Sequence, residues 1–123
     1  MSELRILGIS GSLREGSYNR ALLRAAAGLL PDGSRLETCE IREIPPFDQD
    51  LEASGDPPAV VELKARIRES HALLVVTPEY NWGVPGVLKN AIDWASRPPD
   101  QPFDGKPIAI LGASPSAAGT ARA

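Results

Sequence analysis

With 123 residues, a formal net charge of −3 and 42% hydrophobic residues, the chain has the size of one domain, 1–123, able to bury a core, and its interspersed charges leave no basic stripe for nucleic acid. It contains no apolar run long enough to span a membrane and no basic segment followed by an apolar stretch at its start. Cys39 is the single cysteine and cannot close an intramolecular disulfide, which points to a reducing, cytoplasmic setting.

The first predicted element is a strand over Leu4 to Ile9, a nearly unbroken apolar run of the kind covered on both faces in a parallel sheet. The stretch GISGSLREGSYN, residues 8 to 19, follows with three glycines, three serines, an asparagine and an arginine. Between a strand and a helix, such a loop can turn its backbone N–H groups and hydroxyls toward one anion, although Gly/Ser loops also fill ordinary turns. It is not a P-loop, because Gly11 and Gly16 have the right spacing but Ser17 and Tyr18 follow where Lys and Ser/Thr are required. Nor is it a dinucleotide fingerprint, since Ser10 occupies the second-glycine position. A terminal monophosphate held by hydroxyls and Arg14 fits better than a pyrophosphate or triphosphate.

A helix is expected over Tyr18 to Leu30, with Leu22, Leu23, Ala26, Leu29 and Leu30 as its apolar stripe and Pro31-Asp32-Gly33 as its stop. The strand Leu36 to Ile41 is more polar and belongs at a sheet edge. Asp56 reads as the N-cap of a second helix with Pro57 at its first position, Val60, Leu63 and Ile67 buried, and Glu62 placed to pair with Arg66. Arg68 and His71 suit the C-terminal end of that helix. A third strand covers Ala72 to Thr77, Pro85 and Gly86 open a third helix with Leu88, Ala91, Ile92 and Ala95 inward, and a fourth strand covers Pro107 to Gly112. This alternation predicts a doubly wound α/β sheet of strand order 2-1-3-4(-5), whose ligand lies beyond the carboxyl ends of the first and third strands.

The loop after the third strand, within TPEYNWGVPGVLKNAIDW at 77–94, carries the more specific signal. Pro78 and Pro85 stiffen it, Tyr80 and Trp82 offer flat aromatic faces, and its amides can pair with the edge of a planar heterocycle. Each residue also has a plain structural reading: Tyr80 as core, Asn81 as a turn former, Trp94 as a buried helix residue.

Together these stretches resemble the NADPH-dependent FMN reductases of flavodoxin-like fold, which include bacterial chromate and quinone reductases. Gly11-Ser12-Leu13-Arg14 with Ser17 and Asn19 resembles that family's phosphate loop. Pro78-Glu79-Tyr80-Asn81 with Pro85-Gly86 and Leu88-Lys89-Asn90 resembles its isoalloxazine loop, and GASPSAAGTARA from Gly112 resembles the loop after its fourth strand. The resemblance implies that Ser12, Arg14, Ser17 and Asn19 hold the FMN phosphate with Tyr18 beside them. It also implies that Pro78, Glu79, Tyr80, Asn81, Trp82 and Gly83 border the flavin ring, and that Ser114 approaches its pyrimidine side. Gly83 and Ser116 depart from the pattern, standing where a serine and a glycine are usual.

The implied activity is hydride transfer from NADPH or NADH through FMN to a small-molecule acceptor such as a quinone, free flavin or chromate. No side-chain acid or base and no metal is needed, so the protein's part is binding, orientation and electrostatics. A homodimer or homotetramer is the implied assembly, with no nucleic-acid or membrane partner. Family members continue with a helix, a fifth strand and a last helix, so a domain truncated after Ala123 is expected, its fourth strand an uncovered apolar edge. The alternative from another class is a flavodoxin-like electron carrier or inactive fragment without reductase activity of its own. A serine hydrolase is disfavoured, because His71 is the lone histidine and falls at a helix end away from the loops.

Overall fold

The computed structural model describes residues 3–123. Four parallel strands, β1 (Leu4–Ser10), β2 (Ser34–Cys39), β3 (Ala72–Val76) and β4 (Ile108–Leu111), form one sheet in the order β2-β1-β3-β4. Four helices connect them: α1 (Tyr18–Ala27), the short α2 (Gln49–Ala53), α3 (Pro58–Glu69) and α4 (Gly86–Ala95). This is the flavodoxin-like arrangement expected from the alternation of apolar runs and helical stripes. Among the described residues no helix is long and apolar enough to cross a membrane.

Alternation along the strands assigns the two faces. Leu7, Ile9 and Leu73 pack with Val60, Leu63 and Ile67 of α3 and Leu88, Ala91 and Trp94 of α4. Leu74 and Val76 point the other way, with Ile6 and Leu36 beside them, onto Leu23 and Ala26 of α1. The order in which strands are added reverses at β1, and β1 and β3 lie side by side at the centre in register Ile9↔Val75 and Ser10↔Val76. Their carboxyl ends therefore deliver the loops 11–17 and 77–85 to the same rim.

Several local expectations are corrected. Helix α1 closes at Ala27, because Gly28, a weak helix former, takes the cap position with its N–H on the carbonyls of Ala25 and Ala26. Strand β2 begins two residues earlier than the apolar pattern suggested and ends at Cys39, leaving Ile41 to reach the core from a loop. Helix α3 begins at Pro58 with Pro57 at the cap, since a residue preceding proline is driven to extended backbone. Asp56 does not cap: its carboxylate takes the Nζ of buried Lys64 at 3.1 Å. Arg66 turns to Glu37 of β2 at 3.8 Å instead of to Glu62. Helix α2, capped by Asp48 accepting from the Asp50 N–H, is too short to show a helical period in sequence.

Strand β4 stands at the sheet edge with its side chains open to solvent, Ile110 at 65% exposure. An apolar hollow of 260 Å³ lies on one side of it, against Leu88, Ile92 and Phe103, and another of 370 Å³ lies on the side of Ile6 and Leu30. Neither brings charged groups together; the polar cleft is elsewhere.

Candidate functional site

Beyond the carboxyl ends of β1 and β3 lies a cleft of 250 Å³ lined by Ser12, Arg14, Ser17, Tyr18, Asn19, Pro78, Glu79, Tyr80 and Ser114, with Ala113 and Pro115. Nine of the twelve positions implied by the sequence thus meet at one place. Asn81, Trp82 and Gly83 do not line it; they form the turn that continues its wall.

The loop after β1 is built by short-range hydrogen bonds. The Gly11 N–H extends the ladder to the Val76 carbonyl at 2.8 Å. A β-carbon at Gly11 would sit 2.9 Å from the Thr77 β-carbon, so only glycine fits there. The Ser12 hydroxyl accepts from the Arg14 N–H at 3.3 Å, and the Arg42 guanidinium donates to the Leu13 carbonyl. Ser17 caps α1, its Oγ accepting from the N–H groups of Asn19 and Arg20 at 3.1 and 3.5 Å. The side chain of Arg14 is exposed at the rim and forms no ion pair among the described residues. The amino end of α1 and an unspent guanidinium therefore face the same space, a favourable setting for a dianion.

Asn19 is buried, with both ends of its amide engaged: Nδ2 donates to the Ala113 carbonyl at 3.2 Å and Oδ1 accepts from the Ala113 N–H at 2.9 Å. It pins the loop after β4 to the amino end of α1, which brings Ser114 to the cleft. The Ser114 Oγ accepts from the Ser116 N–H at 3.1 Å, shaping the turn that follows.

The loop after β3 ends in a two-residue hairpin, Tyr80 and Gly83 exchanging backbone bonds of 2.9 and 3.1 Å. Asn81 and Trp82 between them have φ of 53° and 69°, a type I′ turn with tryptophan where glycine is usual. Left-handed backbone in a bulky residue costs of order 1–3 kcal/mol and persists only where surrounding structure holds it. The Arg122 guanidinium lies over the Trp82 ring, 3.9 Å from its centroid, and Nη2 and Nε reach Glu79 Oε2 at 3.1 and 3.2 Å. Arg122 escaped sequence reasoning because its partners lie some forty positions away and no local pattern marks it.

Other candidates leave the site. Asn90 and Trp94 point away from the cleft, Asn90 Nδ2 and Trp94 Nε1 both donating to the Pro45 carbonyl at 2.9 and 2.8 Å. His71 accepts the Arg5 N–H through Nδ1 at the opposite end of the sheet. Burial pushes the Cys39 thiol up, so it stays protonated and unreactive.

The parallel sheet, its strand order and a cleft at the switch point define a domain of flavodoxin-like fold. The chain belongs to the NADPH-dependent FMN reductase family, whose model matches residues 4–123. It is 59% identical over 121 residues to an NAD(P)H-dependent FMN reductase of Pseudomonas aeruginosa, covering 98% of this chain and 65% of that protein. A quinone reductase of Escherichia coli is 44% identical over 125 residues, covering 99% of this chain and 66% of the relative. Among solved structures, FerB, a flavoenzyme NAD(P)H:(acceptor) oxidoreductase from Paracoccus denitrificans, superposes with a TM-score of 0.90 at 40% identity, covering 98% of this chain and 66% of that one. The chain thus spans about two thirds of the length of the relatives it matches.

Proposed function

We propose that this chain is the flavin-binding part of an FMN-dependent NAD(P)H oxidoreductase that reduces quinones, with free flavin and chromate as further acceptors. The observation that carries this reading is Arg14: a guanidinium without an ion-pair partner among the described residues, beside the amino end of α1 and across a 250 Å³ cleft from the backbone of Pro78 to Tyr80. The donor set suits FMN, with positive charge and hydroxyls at one end for a phosphate and a stiff, aromatic-bearing loop at the other for a planar ring.

When bound, FMN would supply the ability to take hydride from a reduced nicotinamide and pass electrons to an acceptor. The residues would bind and orient. Arg14 neutralises the phosphate, Ser12 and Ser17 offer hydroxyl protons, and the first-turn amides of α1 add their dipoles. Pro78 and Tyr80 give the ring a rigid wall, and Ser114, held by the Asn19 pairing with Ala113, approaches it from the third loop. The exposed Tyr80 and Trp82 support a homodimer or homotetramer in which a second copy covers this rim, and the lone cysteine supports a cytoplasmic location.

The test is titration with FMN and riboflavin. Loss of a charge-assisted hydrogen bond is worth about 1.5–3 kcal/mol, so Arg14→Ala should weaken FMN roughly tenfold to a hundredfold, while riboflavin, already weak, should be indifferent to it. Unchanged FMN affinity would overturn the phosphate assignment. With NADPH and a quinone taking turns over one ring face, double-reciprocal plots should be parallel, and His71→Ala should keep its kcat. A protein that binds FMN but oxidises no NAD(P)H in stopped flow would be a carrier.

A further inference from the structure

We propose that Arg122 is a positioning residue for the wall of the flavin cleft: it clamps the Tyr80–Gly83 turn by holding Glu79 and covering Trp82. The inference rests on the FMN reading for its functional consequence, but its structural basis is independent of any ligand. A two-residue I′ turn demands left-handed backbone at both central positions, and sequences meet that demand with Asn-Gly because glycine has no β-carbon to clash. Here the second position is Trp82 at φ 69°. Trp82 is 73% exposed, so burial in the core does not compensate for the backbone it adopts.

What holds the turn comes from the far end of the chain. The Arg122 N–H donates to Glu79 Oε1 at 2.6 Å, and Nε and Nη2 both reach Oε2. The carboxylate receives three donors from one residue and retains only 9% side-chain exposure. The same guanidinium lies flat enough over Trp82 for its carbon to stand 3.9 Å from the ring centroid, so one side chain grips the residue before Tyr80 and the residue after Asn81. Arg122 is delivered there by two fixed points. Asn19 holds Ala113, and Gly112 lies so close to Thr120 that a β-carbon would stand 1.9 Å from Oγ1.

Two effects on the cleft follow. Glu79 and Tyr80 are themselves cleft residues, so a turn that relaxed toward right-handed backbone would carry the wall with it. The clamp also neutralises the Glu79 carboxylate, which would otherwise repel an anionic ligand held by Arg14. Arg122 acts through Glu79 and Trp82; it does not line the cleft itself.

The experiment begins with cofactor-free protein and acrylamide quenching of tryptophan fluorescence. Trp94 is fully buried, so the quenchable emission belongs to Trp82. Arg122→Ala should raise the quenching constant by up to about 1.4-fold, the ceiling that a residue already 73% exposed allows, by uncovering one ring face, with Arg122→Lys in between because it cannot span both partners. Unchanged quenching overturns the clamp, and this arm decides it even if the unmodified protein binds no FMN, an outcome that would instead sink the functional reading. The second arm is a double-mutant cycle on FMN affinity. Arg122→Ala should raise the Kd about fivefold to tenfold in the natural protein but by clearly less in a Trp82→Gly background, where the turn no longer needs holding and only the Glu79 charge is left uncompensated. Equal losses in both backgrounds would mean that Arg122 does not act through the turn and would overturn the proposal.

Discussion

The loop after β2 and the loop after β1 are both polar connections leaving neighbouring strands, yet they use their polar groups in opposite ways. From Pro45 to Phe47 the polar groups that bond do so within the protein. The Pro45 carbonyl accepts from Asn90 and Trp94, the Phe47 N–H donates to Asn90 Oδ1 at 2.8 Å, and the Phe47 ring meets Trp94 edge-on at 4.8 Å. Arg97 closes this region with a bidentate pair to Glu52 and a place over the Phe47 ring. Between Gly11 and Ser17, by contrast, the N–H groups of Gly11, Arg14 and Ser17 are taken up within the protein while the guanidinium of Arg14 has no ion-pair partner among the described residues. The difference shows where to look for a ligand: at donors that a well-ordered loop leaves unspent, rather than at the loop richest in asparagine or tryptophan.

Mutations on the β2 side should therefore damage stability and spare binding. Trp94→Ala is the severest case, removing a side chain of 0% exposure and leaving the Pro45 carbonyl short of a donor. We expect a loss of about 3–5 kcal/mol in urea denaturation, with unchanged FMN affinity in the protein that remains folded. A large rise in Kd alongside would collapse the distinction between the two loops. Asn90→Ala, which orphans the Phe47 N–H, should cost about 1–3 kcal/mol and again leave FMN titrations unaltered.

The smallest effect concerns acid. The hydrogen bonds from Arg97 hold the Glu52 carboxyl below the usual carboxylate range. A depressed folded-state value means that the pair's contribution is fully present above the unfolded value and is lost as pH falls through the folded one. The stability gap between the natural protein and Glu52→Gln should be widest at neutral pH and close on acidification, as denaturation midpoints across that range would reveal. A gap constant with pH would show that the ionised pair is not what separates the two proteins.

Much of this organisation was legible in the residues. The central strands announce themselves as unbroken apolar runs, and the cleft loops as clusters of glycine, serine and proline directly after them. Two kinds of feature were not legible. Local competition decided the ends of α1 and α3, where Gly28 and the Pro57-Pro58 pair set boundaries that an apolar stripe does not register. Long-range pairing decided the roles of polar residues: Asn19 reads as a phosphate ligand but spends its amide on Ala113, and Asn90 reads as part of a flavin loop but turns to Pro45. No spacing rule links Glu79 to Arg122, 43 residues apart.

The joint between Asn19 and Ala113 spans 94 positions, and it bears on the timing of synthesis. Chains emerge amino end first, and a contact this distant in sequence cannot form until its second half has left the ribosome. The helix that would receive the phosphate is made early, whereas the third wall of the cleft arrives with Ala113 and Ser114. A nascent chain would lack that third wall until then, so a site built as proposed would not close around a ligand before Ala113 and Ser114 have emerged.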